Sequence, residues 1–471
     1  MLHYTAEIPP AEGRTLRLSA EFIFLIKAAR ERTETIGGIQ MLKEYALGFG
    51  DKELTITLPE EQVINVVEGK PADAISDIAA AVKEALNHPI DSPPLKEVVK
   101  SGDKVAIIAS DITRQWIKHD QFLPVLLNEL NAAGIPDHDI KLVVALGAHR
   151  HHTDQENVLV YGQETVNRIQ IVQSHAPTEE DFVYVGKTSR GVDTYFNKHV
   201  VNADKVILTG GIVYHLMAGF GGGRKAVMPG ISGYATIQGN HSFCLHDVVG
   251  QGVSPHCVSG KLEGNNMHED MTEMAELLNP AFLLNVVFNA EGKFARFVAG
   301  HWYNAWLEGT RTVERIFGVP INGKADLVIA SAGGFPKDIN LYQGSKTIDN
   351  AFMATKQGGV IILLLECRDI MEPPDFSSWF NYESLYDREV ALREGFTVPG
   401  SIAVKCGLMA KEIPHIVVTL PENKAFIEKA GMIAVSTLEE AMAIAEEKLG
   451  RKDYTITVMA HAANTVPVLQ A

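Results

Sequence analysis

Residues 205–241 read KVILTGGIVYHLMAGFGGGRKAVMPGISGYATIQGNH. The apolar run at 206–208 is a strand that ends on Gly210-Gly211, and His215 follows within a few residues. Gly219 and Gly221 to Gly223 come next, then Arg224-Lys225, a Pro229-Gly230 turn, and His241 sixteen positions beyond Lys225. Glycine is costly to order, so this density implies close approach of the backbone to something bound. Three side chains able to ligate, attack or move protons sit in that bare stretch.

Two earlier apolar runs have the same form. Residues 104–109 (KVAIIA) deliver Ser110-Asp111-Ile112-Thr113-Arg114, and residues 142–146 (LVVAL) deliver Gly147-Ala148-His149-Arg150-His151-His152. Between them an apolar stripe at helical spacing, 122–130, stops near Gly134. Helical spacing also runs through 71–86, before Pro89 and Pro93-Pro94 break it. Buried strands alternating with helices predict a parallel sheet covered on both faces, with ligands gathering at the strands' carboxyl ends. Asp111, Arg114, His149 and His215 all fall just past such ends.

Residues 283–288 and 294–298 flank Asn289-Ala290-Glu291-Gly292 as a hairpin. A helix bearing Trp302 and Trp306 follows, ending near Gly318; Pro320 and Asn322-Gly323 suggest a hinge. A second α/β unit opens with 325–330 (ADLVIA), with further strands at 360–365, 415–420, 432–435 and 454–459. Ser436 with Glu439 forms a capping-box pattern before a helix at 437–449. The expected fold class is α/β, with two domains, 41–318 and 319–471. Each holds a largely parallel sheet covered by helices, with the active site in the cleft between them and the last segment packing back on the first domain. Residues 54–58 (LTITL) alternate as a strand, a cleaner opening than residues 1–40. Gly37-Gly38-Ile39-Gln40 is what a purine-rich ribosome-binding site would encode if read through. The expectation is that 1–40 are an over-called extension before a true start at Met41; the alternative is a surface helix.

The chain has 471 residues, enough for a sizeable core, with 46% apolar and 21% charged residues. Its 42 basic and 58 acidic side chains leave a net charge of −16, which argues against a nucleic-acid partner. Cys244, Cys257, Cys367 and Cys406 are widely spaced, so neither a disulfide framework nor a zinc knuckle is suggested. The longest apolar run, 360–365, is too short to cross a membrane. No basic-then-apolar leader opens the chain, so a cytoplasmic location is expected.

Gly219 to Lys225 is not a phosphate loop, because Arg224 and Ala226 stand where the second glycine and a hydroxyl are required. Nor is it a dinucleotide fingerprint. An anion-binding turn with Lys225 as counter-charge is one reading. The sharper one makes Lys225 a covalent attachment point, its amine kept neutral by repulsion from Arg224. The histidines at 149, 151 and 152 lack the spacing of a zinc hydrolase. Asp111-x-Thr113-Arg114 offers acceptors and a bidentate fork for a ribose and a phosphate or carboxylate, or else forms a structural ion pair.

These blocks together resemble the nickel-dependent lactate racemase family of 2-hydroxyacid racemases and epimerases. Ser110-Asp111-x-Thr113-Arg114, Gly147-x-His149-Arg150, His215-x-x-Ala218-Gly219-Phe220-x-Gly222-Gly223-Arg224-Lys225 with Pro229-Gly230-Ile231, and Asn240-His241-Ser242 carry the resemblance, from about residue 45 to the end. It implies a nickel-pincer nucleotide (a pyridinium-3-thioamide-5-thiocarboxylic acid mononucleotide) covalently attached at Lys225, with His241 completing the nickel coordination. Asp111, Thr113 and Arg114 would hold its ribose and phosphate. His149 and His215 would be two general bases, one for each face of the substrate. One removes the hydroxyl proton while the C2 hydrogen moves reversibly as hydride to the pyridinium ring. In the second domain Tyr342 would stack on the cofactor, while Gln343 and Lys346 hold substrate oxygens; without the resemblance Lys346 reads as a solvated lysine. The implied partners are a small 2-hydroxy acid and the enzymes that make the cofactor. Gln115 and His151 stand where the family's lactate enzymes carry proline, and a tryptophan is replaced around Ile402. These departures point to a longer or more polar substrate, such as a sugar acid, with His151 and His152 as contacts or as a solvated loop. Readings from other classes are a nucleotide- or anion-binding metal-dependent hydrolase, and a cofactor carrier without turnover.

Overall fold

The computed structural model describes residues 41–470; the expected extension at 1–40 lies outside them. Six strands form the first sheet, in the order Phe294–Gly300, Phe282–Phe288, Lys205–Gly211, Val105–Ser110, Ile140–Gly147 and Gln170–His175. All neighbours are parallel except the Phe294–Gly300 edge, which returns antiparallel through the Asn289–Gly292 turn. The apolar runs are continuous because both faces are buried. Ile108, Val143 and Leu208 meet the side covered by helices Asn266–Leu278 and Asn304–Phe317. Ile107, Val144 and Ile207 meet the side covered by helices Ile78–Asn87 and Leu123–Ala132. The strand order reverses between Val105–Ser110 and Lys205–Gly211, and a crevice at such a switch point collects the loops that follow both strands.

The second sheet runs Ile433–Val435, His415–Val418, Thr355–Leu364, Ala325–Ser331, Ile456–Met459 and Val63–Val66, parallel throughout. Chain order counts 42–66 with the first domain, and here the pairing corrects it. Val63–Val66 is the edge strand of the second sheet, and the hairpin of Leu42–Phe49 with Lys52–Pro59 lays Leu47, Phe49 and Leu58 against Leu327, Ile329 and Ile362. The second domain is therefore assembled from both ends of the chain. The closing strand, Val466–Leu469, pairs with Gly318–Ile321 between the domains rather than with the first sheet. The expected hinge is tied down: Asn65 accepts from the Asn322 amide (2.9 Å) and donates to the Gly323 carbonyl (2.9 Å). The cap near 436 also moves by one residue. Thr437 accepts from the Glu440 amide, because its extended backbone directly precedes helix Leu438–Leu449.

Candidate active site in the interdomain cleft

The loop after Val105–Ser110 opens with Asp111, which is buried. Its Oδ1 accepts the Thr113 hydroxyl (2.6 Å) and its Oδ2 faces His149 Nδ1 (2.6 Å). Burial pushes the Asp111 pKa up, but the hydrogen bonds from His149 and Thr113 and the nearby Arg114 charge outweigh it, so the carboxylate stays ionised. An ionised carboxylate only accepts, which puts the His149 proton on Nδ1 and leaves the Nε2 lone pair facing outward. The Arg114 guanidinium donates to the Thr113 carbonyl (3.1 Å) and hydroxyl (3.2 Å) and, among the described residues, pairs with no carboxylate. His152 is buried, and its Nε2 accepts the Ile112 amide (2.7 Å), so it braces this loop and is not a substrate contact. Arg150 forks onto Glu156 (2.6 and 2.8 Å), and the exposed His151 ring packs at a tilt of 43° against His175.

His215 lies in the short pairing of Tyr214–His215 with Gly219–Phe220. Its Nδ1 accepts from the amides of Met217 (3.3 Å) and Ala218 (3.1 Å). Burial, followed by the Lys225 and Arg114 charges, drives its pKa well down. The ring is neutral, with its proton on Nε2. Both histidines thus present Nε2, in His149 as an acceptor and in His215 as a donor, where the resemblance implied two general bases.

The glycine loop is bare for a different reason from the one expected. A Cβ at Gly222 would lie 2.8 Å from Asn285 Oδ1, and one at Gly223 would lie 2.5 Å from the Trp306 ring; both glycines have φ near +70 and +50°. Close packing on the protein's own core accounts for both. Asn285 accepts the Gly223 amide (2.8 Å), and Trp306 donates to the Gly221 carbonyl (2.9 Å). The turn Gly223–Ala226 sends Arg224 inward, where it is wholly buried over Trp306. Its guanidinium donates to His268 Nδ1 (2.9 Å) and to the carbonyls of Phe220 (3.0 Å) and Ala218 (2.7 Å). Asn285, Trp306 and His268 carry no motif that marks them in the sequence.

Lys225 follows Arg224 in the turn, and among the described residues its amine has no hydrogen bond or ion pair. Burial, then Arg224 and Arg114, lowers its pKa to about 7. Repulsion from Arg224 is therefore the second cause. His241, on helix Tyr234–Ser242, donates from Nδ1 to the Ile237 carbonyl (3.0 Å), which leaves its Nε2 bare. Burial, then the Lys225 charge, holds it down at about 3, so the two side chains share one neighbourhood. Helix Leu341–Ala354, capped by Asn340 on the Gln343 amide (2.8 Å), brings Tyr342, Gln343 and Lys346 from the second domain. Lys346 is open to the cleft, yet desolvation and the Arg114 and Lys337 charges lower its pKa. Burial, then Asp375, raises that of Tyr342, against the Arg114 charge. Arg114 acts on groups of both domains and so marks the cleft. Among the described residues no three His, Cys, Asp or Glu side chains are grouped to hold a metal.

Residues 49–252 match the lactate racemase N-terminal domain, and residues 321–467 match the lactate racemase C-terminal domain. The chain belongs to the lactate racemase family. The lactate racemase of Thermoanaerobacterium thermosaccharolyticum is 32% identical over 407 residues, covering 84% of this chain and 93% of that protein. The lactate racemase of Lactiplantibacillus plantarum is 36% identical over 288 residues, 61% of this chain and 66% of that one. The apoprotein structure of the Thermoanaerobacterium racemase superposes with a TM-score of 0.80 at 30% identity, covering 91% of this chain and all of that one. A Thermotoga maritima protein shares the fold at 15% identity, with a TM-score of 0.56 over 83% of this chain and 97% of its own. As a member of the lactate racemase family the chain is an isomerase, with two α/β domains, and no helix among its described residues is long and apolar enough to cross a membrane.

Proposed function

We propose that this chain inverts the configuration at C2 of a 2-hydroxy acid, with Lys225 carrying a nickel-pincer nucleotide supplied by separate cofactor-making enzymes. The observation that carries the reading is a lysine amine without a hydrogen-bond or ion-pair partner among the described residues, its pKa held down to about 7 by burial and nearby charge, beside a histidine whose Nε2 has no partner among them. A neutral amine is what acylation requires, and one free imidazole nitrogen suits a metal that brings its other donors with it. The absence of a three-residue metal cluster among the described residues fits the same group. When bound, the cofactor supplies nickel and a pyridinium ring that accepts and returns the C2 hydrogen.

The chain's own residues supply the rest. His149 Nε2 accepts the proton of the substrate hydroxyl, and Asp111 stabilises the resulting imidazolium. His215, neutral with its proton on Nε2, donates a hydrogen bond to the same oxygen from another direction. Arg114, with donors left over, and Lys346 hold the carboxylate, aided by Gln343. Tyr342 presents its ring to the nucleotide, and Asp111 and Thr113 retain lone pairs for its ribose. Approach of the second domain excludes water from the 2-oxo form of the substrate. His151 and Gln115 replace proline at the mouth of the site, so a longer or more polar acid than lactate is the favoured substrate.

The test is a panel of single enantiomers of 2-hydroxy acids, sugar acids included, incubated with cofactor-loaded protein and followed by circular dichroism. Loss of optical activity for at least one acid, abolished in Lys225→Ala, is the expected result. Fully loaded protein that inverts none would leave a carrier without turnover.

A further inference from the structure

Tyr342, Lys346 and Asp349 recur at steps of four and three along helix Leu341–Ala354, so they share one face. Asp349 is 4% exposed and pairs with the ammonium of Lys405, itself 9% exposed, on helix Val398–Glu412. The same ammonium donates to the carbonyl of Leu216 (3.2 Å), the residue after His215. One turn earlier, the Ser401 hydroxyl reaches Met217 Sδ (3.5 Å). The carbonyls of Leu216, Met217 and Ala218 are taken in succession by Lys405, by Asn265 (2.8 Å) and by Arg224 (2.7 Å). Of these three donors only Lys405 comes from the second domain. Fixing these carbonyls fixes the peptide planes, and therefore the Met217 and Ala218 amides that donate to His215 Nδ1.

We propose that Lys405 is a positioning residue: held by Asp349, it locks the 216–218 turn and with it the tautomer and orientation of His215. Seating of the helix that carries Tyr342 and Lys346 and alignment of the proton-transfer histidine are then one event. The catalytic consequence rests on the isomerase reading above, whereas the effect on His215 does not. A buried ion pair is weak support for stability, since matched apolar groups often do as well. Its retention beside a reacting group is explained by geometry.

The test compares Lys405→Met, Lys405→Arg and the neutral pair Lys405→Met with Asp349→Asn, the last avoiding an uncompensated buried carboxylate. In cofactor-loaded protein the neutral pair should lower kcat roughly 10- to 100-fold, as misplacement by about 1 Å does, with KM within about threefold. Lys405→Arg, which can still reach a carboxylate and a carbonyl, should restore most of the loss. The Lys225 adduct, read by mass, should be unchanged. In unloaded protein, ¹⁵N-histidine NMR, with His215 assigned by His215→Gln, should show Nε2-protonated His215 in the native chain and a mixture of tautomers in the neutral pair. An unaltered His215 tautomer in the neutral pair overturns the proposal, whatever the turnover. An altered tautomer with unchanged kcat overturns its catalytic part. If native loaded protein inverts no acid, the isomerase reading fails while the NMR comparison still decides the role of Lys405.

Discussion

The depressed pKa of Lys225 makes a sharp numerical claim. With a pKa of about 7 rather than 10.5, about half of the amine is neutral at pH 7, against roughly one part in 3,000 for an ordinary lysine. The shift lowers the amine's pKa, so the nucleophilic form is present above pH 7 and lost as pH falls through that value. Trace acetylation with acetic anhydride at a series of pH values, counted by mass on the Lys225 peptide, should give a reactivity midpoint near 7. The exposed Lys96 serves as an internal standard in the same digest. Arg114→Gln removes the third cause of the shift and leaves burial and Arg224, so the midpoint should rise but remain below 10.5. A midpoint between 9.5 and 11 in the native chain would refute the reasoning, because the amine would then be as well solvated as any surface lysine.

Other expectations follow from the same geometry. Arg224→Met leaves His268 Nδ1 and two carbonyls without their buried donor and should cost about 3–5 kcal/mol in urea unfolding; a loss below 1 kcal/mol would show that the loop repacks. Asp111→Asn removes the carboxylate that fixes the His149 tautomer and should lower kcat for inversion roughly 100-fold or more, with little change in thermal stability. His119, His241 and His268 are buried and neutral, with pKa values of about 3, 3 and 2. Each folded value lies below the unfolded one near 6.5, so their stabilisation is complete above pH 6.5 and declines as pH falls from there. At pH 5 each should already cost about 2 kcal/mol, read as a falling urea midpoint. His119→Phe should flatten that decline.

The first sheet was legible because 104–109, 142–146 and 205–211 are apolar on both faces, and the loops past their ends converge by topology alone. Residues 42–66 were not assigned correctly. Alternation shows that one face is buried without showing what covers it, and the cover lies some 270 residues further on, at Leu327 and Ile329. Helical spacing suggested a start at 71, whereas the helix begins at Ile78, where Asp77 caps the Ala80 amide. The glycine cluster suggested close approach to something bound, whereas Gly222 and Gly223 pack against the protein's own core. Its neighbours Asn285 and Trp306 lie 62 and 85 residues away from their bonded partners, and nothing local announces them. Candidate site residues were proposed from the sequence, but the opposite tautomers of His149 and His215 arise from a carboxylate 38 residues distant and from two backbone amides. Only coordinates contain that information.

The central claim is that one amine and one imidazole together hold a nickel-bearing nucleotide. It is tested most directly by the mass of the Lys225 peptide and the nickel content of protein co-expressed with the cofactor-making enzymes. An adduct of a few hundred daltons on Lys225, absent in Lys225→Ala, with nickel lost but the adduct kept in His241→Ala, is the predicted result. An unmodified Lys225 peptide, from cells shown to make the nucleotide, would contradict it.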